Sequence, residues 1–190
     1  YLEQINDLSK FIDAVDFARS MGKPIVLIKV GRTQKSRLIA KTHTGAMTGS
    51  DTFYDTLFER LGIARCENLS SLIETLKILH FYGPLKSNKI LVLGASGGDM
   101  AMVSDLSRDY DLDFSPIPQK EYKALENSLG DRVKINNPLD IQVATWFDYK
   151  KLRKMFDVLL RCKFSLIAFM VDPQDETSAD TESFDKAIEI

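Results

Sequence analysis

The stretch "KILVLGASGGDMAMVSDL" (residues 89–106) decides how the chain around it is expected to fold. Residues 89–94 form a nearly continuous apolar run, which is typical of a strand buried on both faces of a sheet. A small, glycine-bearing turn follows at 95–99, and residues 100–110 read as a helix. A buried strand that passes through a glycine turn into a helix is the repeating unit of an α/β protein.

The same alternation of strand and helix extends along the rest of the chain. Further strands are predicted at 25–30, near 113–116 and at 164–171. Helices are predicted at 7–21, 52–61, 69–79, 119–129 and 148–162, and a loop at 136–141. We therefore expect the α/β class, with flavodoxin-like parallel sheets that carry helices on both faces.

A turn-rich stretch, "FYGPLKSNK" (81–89), separates two predicted units, which we bound as 1–83 and 84–190. The second unit has the elements of most of a flavodoxin-like domain, truncated at its carboxyl end. The first has too few strands for a stable sheet and resembles the back of such a domain. We therefore expect the chain to be a segment of a longer protein.

Charge and cysteine usage limit the classes of partner. The formal net charge is −2 and the basic residues are scattered, so we expect no nucleic acid and no anionic membrane as partners. No apolar run approaches the roughly 20 residues that a membrane-spanning helix needs. Cys66 and Cys162 lie far apart, outside any metal-ligand spacing, which favours buried free thiols and a cytoplasmic location.

The stretch "AKTHTGAMTGSD" (40–51) holds His43, one of only two histidines. We expect a loop here, beyond the carboxyl end of strand 25–30, where parallel sheets bind their ligands. Small and hydroxyl neighbours such as Thr44 and Gly45 allow backbone amides to approach an anion. The imidazole could act as a base, a metal ligand or a nucleophile, although no second ligand stands at metal spacing. A surface histidine without a role is about equally compatible with these residues alone.

Three other features of the sequence are weaker indications of a functional site. His80, at a helix end among apolar residues, is interpreted as structural. The turn "GASGGD" (94–99) places a helix N-terminus where it could bind an anion, although a tight turn with no binding role would explain the same residues. Glu3 is predicted at the carboxyl end of a strand, where a carboxylate can accept a hydrogen bond from one nitrogen of an imidazole.

These pieces occur together in one known family. The chain resembles the nucleoside-diphosphate-forming acyl-CoA synthetases of the ADP-forming acetyl-CoA synthetase type, which are relatives of succinyl-CoA synthetase. The resemblance is carried, in order, by "YLEQI", "GKPIVLIKVGR", "KTHTGAMTGSD", "YDTLFERLGI", "ILVLGASGGDMAMVSD" and "NNPLDI".

The resemblance implies an acid–thiol ligase. Such an enzyme interconverts acyl-CoA, nucleoside diphosphate and phosphate with the acid, nucleoside triphosphate and CoA through a phosphohistidine. It also implies a CoA-binding Rossmann-like domain, two flavodoxin-like domains and an ATP-grasp part, in an enzyme expected to be oligomeric. Coenzyme A and ATP or ADP with magnesium would bind mainly outside this chain, which alone is expected to be inactive.

The resemblance also implies roles for individual residues. His43 corresponds to the phosphorylated histidine, and Glu3 to the glutamate that supports it. Asp99 and Met100 depart from the family pattern, in which a further glycine and a small apolar residue often stand in the second glycine-rich turn. The residues expected to contact phosphate are Thr44, Gly45, Ser96, Gly97 and Gly98.

Two other functions are compatible with this architecture. Some relatives serve as the regulatory scaffold of a protein lysine acetyltransferase and have often lost the histidine, so His43 argues against that role. A non-catalytic flavodoxin-like binding module is the other alternative. It would be expected to carry aromatic side chains for stacking near the glycine turn, and the sequence has no such pair there.

Overall fold

The computed structural model describes residues 1–44, 50–143, 145, 148–171 and 186–187, with only the backbone of residues 40–44. Two compact units are present, Tyr1–Pro84 and Leu85–Ile190. In the first, the described elements are α1 (Leu8–Ser20), β1 (Val26–Ile28), α2 (Gln34–Thr44), α3 (Asp51–Leu61), β2 (Ala64–Cys66) and α4 (Leu69–Tyr82).

A small parallel sheet organises the first unit. Strands β1 and β2 pair in parallel, with Val26 opposite Ala64. On the other edge of β1, Leu2 forms an isolated parallel bridge with Lys29. The backbone N–H of Leu2 donates to the carbonyl oxygen of Ile28 at 2.8 Å, so the first residues of the chain extend the sheet.

Helices α1 and α3 enclose the aromatic core of this unit. Phe58 is only 1% exposed, and its ring centroid lies 6.3 Å from that of Phe11 and 5.8 Å from that of Tyr54. The Ser50 hydroxyl caps α3 by accepting a hydrogen bond from the Phe53 N–H at 3.2 Å. These contacts fix where α3 begins, directly after the segment that follows His43.

Two elements of the first unit differ from prediction. The expected loop is wrong for residues 40–44, because their backbone continues α2. A reciprocal pair of hydrogen bonds between Thr33 and Ser36 caps the start of this helix. The side-chain oxygen of each residue accepts from the backbone N–H of the other at 3.1 Å. Strand β2 was not predicted, because it has three residues and Arg65 at its centre. Helix α4 is present as predicted, and three of its apolar side chains are exposed: Leu69, Ile73 and Leu76.

The second unit contains a three-stranded parallel sheet with the order β4-β3-β5. Strand β3 is buried along its whole length. Gly94 ends it, and a Cβ there would lie 3.0 Å from the Met100 side chain and 3.1 Å from the Met170 carbonyl oxygen, so neighbouring elements pack closely around it. The described elements are β3 (Ile90–Gly94), α5 (Gly97–Ser107), a 3₁₀ turn (Gln119–Glu121), α6 (Tyr122–Leu129), β4 (Leu139–Asp140), α7 (Tyr149–Leu159) and β5 (Leu166–Met170).

The predicted elements of the second unit are present with local differences. Helix α5 begins at Gly97 rather than at residue 100, because the Ser96 hydroxyl caps it. Near 113–116 there is a single bridge between Lys89 and Asp113 instead of a strand. The predicted loop 136–141 contains β4, whose two residues pair with β3. None of the described helices is both long and apolar enough to cross a membrane.

Candidate functional site

The carboxyl edge of the β1–β2 sheet carries one of the predicted residues of the first unit, Glu3. Glu3 follows Leu2, whose bridge to Lys29 places it at the end of β1, and its side chain is exposed. Helix α2 starts a few residues after β1, and α4 starts a few residues after β2. Since all these strands are parallel, the segments that follow them open at the same edge.

His43 lies in the last turn of α2, judged from its backbone. The side chains of His43 and Thr44, and the whole of Gly45, fall outside the described residues. His80, the second histidine, lies in the last turn of α4, where it is exposed and packs edge-on against the Phe81 ring. That position is compatible with the structural role predicted for it.

A group of charged side chains at this edge was not predicted from the sequence. Arg65, on β2, has a side chain that is only 7% exposed. Its Nη2 donates to Asp51 Oδ1 at 2.6 Å, and its Nη1 donates to Asp55 Oδ1. Burial acts to lower the pKa of Arg65, but these two hydrogen bonds and the two carboxylate charges outweigh it, so the pKa is raised.

Lys29 lies beside this ion pair and is itself 3% exposed. Its ammonium donates to the Val30 carbonyl oxygen and lies 4.3 Å from the centroid of the Tyr54 ring, a cation–π contact. Burial, and then repulsion from Arg65, lower the pKa of Lys29, while the nearby Asp51 carboxylate opposes them. The signal in the sequence was a lysine inside the apolar run "IVLIKV" (25–30).

Replacing Lys29 by methionine should reduce the dependence of stability on alkaline pH. The pKa of Lys29 is lower in the folded than in the unfolded chain, so the folded protein loses this proton first as pH rises. The unfolded chain then binds more protons, and the free energy of unfolding increases until both states are neutral near pH ~10.4. Urea denaturation between pH 7 and about 10 measures this.

We expect the difference in free energy of unfolding, wild type minus K29M, to grow with pH over that range. Lys23, exposed at the other end of β1, provides the matched control: K23M should track the wild type at every pH. If the difference in free energy of unfolding between the wild type and K29M stays constant with pH, the lowered pKa of Lys29 is contradicted.

In the second unit, the predicted phosphate-binding residues lie at the start of α5. Ser96 accepts a hydrogen bond from the Asp99 N–H at 3.3 Å, and Gly97 and Gly98 form the exposed first turn. A Cβ on Gly97 would lie 2.9 Å from Asp140 Oδ2, so the Asp140 carboxylate stands against this turn. Asp140 was not predicted as a neighbour of this turn, because residues 136–141 were expected to form a loop.

The carboxylates of Asp99 and Asp140 decide the charge of this helix start. Asp99 lies in the first turn of α5, where a negative side chain interacts favourably with the helix dipole. Asp140 Oδ1 accepts a hydrogen bond from the Gln142 N–H at 2.9 Å, which orients its carboxyl group. An incoming phosphate would therefore meet the negative charges of two carboxylates near the start of α5.

Across the described part of the chain, no group of three or more histidine, cysteine, aspartate or glutamate side chains could hold a metal ion. Cys66 and Cys162 are both buried and free, as predicted. Burial is the main cause that raises the pKa of the Cys162 thiol, which makes it a poor nucleophile. Cys162 is thus not a candidate nucleophile.

Comparison with known proteins identifies relatives of both units. Residues 1–79 match the succinyl-CoA ligase like flavodoxin domain family. An ADP-forming acetate–CoA ligase of Methanocaldococcus jannaschii is 31% identical over 141 residues, which are 74% of this chain and 20% of that protein. A trans-feruloyl-CoA synthase from an unknown prokaryotic organism is 33% identical, with the same two coverages.

A solved structure extends the likeness to most of the chain. The dinucleotide-forming acetyl-coenzyme A synthetase 1 of Ca. Korarchaeum cryptofilum, in complex with phosphate and ADP, aligns with a TM-score of 0.69. The alignment covers 90% of this chain and 45% of that one at 18% identity, so it supports the α/β fold.

The chain spans about a fifth of the length of the two ligases it matches, and so resembles a segment of them. The predicted fold class is confirmed by the parallel sheets and by the solved relative. Residues 1–79 thus match a succinyl-CoA ligase like flavodoxin domain, and the chain as a whole is similar to a segment of an ADP-forming acetate–CoA ligase.

Proposed function

We propose that this chain is part of an NDP-forming acyl-CoA synthetase and that it carries the phosphoryl group on His43. The observation that carries the proposal is the position of Glu3. It is exposed and stands at the carboxyl end of the β1 sheet, in the unit that matches the family. The family match of residues 1–79 and the names of the ligases to which the chain is similar support the class of reaction.

The proposed reaction has three reversible transfers. A phosphate oxygen attacks the thioester carbonyl, and the CoA thiolate leaves, which gives an acyl phosphate. A ring nitrogen of His43 then attacks the phosphorus atom, and the carboxylate of the acid leaves. Finally, an oxygen of the diphosphate takes the phosphoryl group and forms the triphosphate. The reverse order makes acyl-CoA from the acid, CoA and triphosphate.

Glu3 serves as the residue that orients His43. A carboxylate that accepts a hydrogen bond from one ring nitrogen fixes the tautomer and leaves the other nitrogen free to attack phosphorus. The same negative charge stabilises the positive charge that develops on the ring as the bond to phosphorus forms.

The phosphoryl group requires amide and hydroxyl donors. We propose Thr44 and Gly45 for this role, because small residues permit close approach of the backbone. At the second site, Ser96, Gly97 and Gly98 present the start of α5, whose dipole favours an anion. Asp140 and Asp99 weaken that site unless the neighbouring parts of the enzyme add positive charge.

Coenzyme A, the nucleotide and magnesium are proposed to bind mainly to parts of the enzyme outside this chain. No described cluster of side chains suits a metal ion, so we assign no residue here to magnesium. The proposed partners are acyl-CoA, phosphate and nucleotide, together with a CoA-binding domain and an ATP-grasp domain or subunit. We further propose an oligomeric enzyme in the cytoplasm, while the regulatory scaffold is less favoured because the named relatives are ligases.

Radiolabel transfer tests the proposed function. The full-length protein is incubated with magnesium and nucleoside triphosphate labelled in its terminal phosphate. We expect a phosphoprotein that is labile in acid and stable in base, as a phosphohistidine is. Unlabelled diphosphate should return the label to triphosphate, and the acid plus CoA should release it as phosphate. A label that is stable in acid, or no label, would contradict the proposal.

A further inference from the structure

Arg65 joins two segments of the first unit that are distant in sequence. Its Nη2 donates both to Asp51 Oδ1, at 2.6 Å, and to the carbonyl oxygen of Lys29, at 3.3 Å. Its Nη1 donates to Asp55 one turn further along α3. The guanidinium is thus a buried crosslink between the end of β1 and the start of α3.

Each of these segments leads to one of the proposed catalytic residues. Lys29 pairs with Leu2, and Glu3 is the next residue of the chain. Asp51 opens α3 and stands eight residues beyond His43. The contacts of Arg65 therefore run from the backbone beside Glu3 to the helix that follows the histidine segment.

We infer that Arg65 is a positioning residue, which holds the start of α3 against the strand end that carries Glu3 and so sets the approach of His43 to its partner. This inference rests on the proposed function. Arg65 acts through Asp51, because the Asp51 carboxylate is the group of α3 to which the guanidinium donates a hydrogen bond at 2.6 Å.

The chemistry of the guanidinium suits this role. Its nitrogens point in fixed directions from one plane, so two carboxylates and a carbonyl oxygen are held in a defined geometry. The pair is only weakly screened by solvent, since the Arg65 side chain is 7% exposed and that of Asp51 is 25% exposed. A displacement of about 1 Å at a reacting group can lower a rate by about 100-fold, so rigidity here has a kinetic effect.

Arg19 provides a structural control in the same unit. Its Nη1 donates to Asp16 Oδ1 at 2.7 Å, and its Nη2 donates to the Leu61 carbonyl oxygen at 2.6 Å. This arginine also crosslinks two segments, but at the end of α3 that is remote from Asp51. R19Q therefore removes a similar set of bonds without touching the carboxyl edge.

The test measures the single-turnover rate of His43 phosphorylation at saturating triphosphate in the full-length protein, with the melting temperature of each variant. The variants are R65Q, R65K, D51N, the double variant R65Q/D51N, and R19Q. We expect R65Q and D51N to slow phosphorylation about 10- to 100-fold, and R19Q to change it less than about twofold.

The double variant should be no slower than the slower single variant, because both single variants disrupt the same Arg65–Asp51 contact. R65K, which keeps the charge but not the fork, should recover part of the rate. D51N keeps the shape of a partly exposed residue, so it remains informative if R65Q does not fold.

If the wild type is phosphorylated and R65Q and D51N are phosphorylated at the same rate, the positioning role is overturned and the proposed function stays intact. Equal slowing in R19Q would also overturn it, since general destabilisation would then account for the effect. If the wild type forms no phosphohistidine, the proposed function fails and the positioning role fails with it.

Discussion

Replacing His43 by alanine is expected to reduce phosphoryl transfer through the protein by about three orders of magnitude or more. The side chain is the proposed covalent carrier, and alanine provides no nucleophile in its place. Labelled triphosphate and magnesium, followed by quantification of acid-labile protein phosphate, measure the loss. Steady-state formation of acyl-CoA should fall in parallel, because both proposed half-reactions use the same proposed phosphohistidine.

The second histidine makes this prediction specific. His80 is exposed in the last turn of α4, so H80A should retain the label within about twofold. E3Q keeps the shape of the proposed orienting residue and removes its charge, and should slow labelling about 100-fold without abolishing it. Retention of the label in H43A, or its loss in H80A, would contradict the assignment of the carrier.

The sequence predicts the strands whose burial requires an apolar run. β1, β3 and β5 lie within such runs, since a parallel strand covered on both faces has little room for polar side chains. β2 and β4 escaped prediction because they have three and two residues and contain Arg65 and Asp140. Those polar residues are tolerated because each strand ends at the carboxyl edge of its own sheet, where an ion pair with Arg65 or the start of α5 lies beside it.

Local pattern also explains the error at α2. Small and hydroxyl residues in 40–51 are typical of a loop. Leu38 and Ile39 are exposed, so the described side chains of the helix, residues 34–39, form no buried stripe. The reciprocal bonds of Thr33 and Ser36 start it nonetheless. The position of Glu3 could be predicted because it follows the end of a strand. The Arg65–Asp51 pair depends on a tertiary contact, which leaves no periodic signal in the sequence.

Substituting alanine for Phe58 is expected to lower the free energy of unfolding of the first unit by about 3–5 kcal/mol. The ring is 1% exposed and fills the space between α1, β1 and α3, so its removal leaves a cavity that Phe11 and Tyr54 only partly close. Since small domains are stable by about 5–15 kcal/mol in total, this loss is a large share. Denaturant unfolding of the full chain, followed by circular dichroism, measures it.

Phe53 is the matched control, because it lies on the same helix and is 47% exposed. The same atoms are removed in F53A, but most of them are already in contact with water, so the loss should stay below about 1 kcal/mol. Comparable losses in the two variants would contradict the assigned core. If Phe58 does anchor α3, then F58A should also speed hydrogen exchange at the start of that helix, where Asp51 meets Arg65.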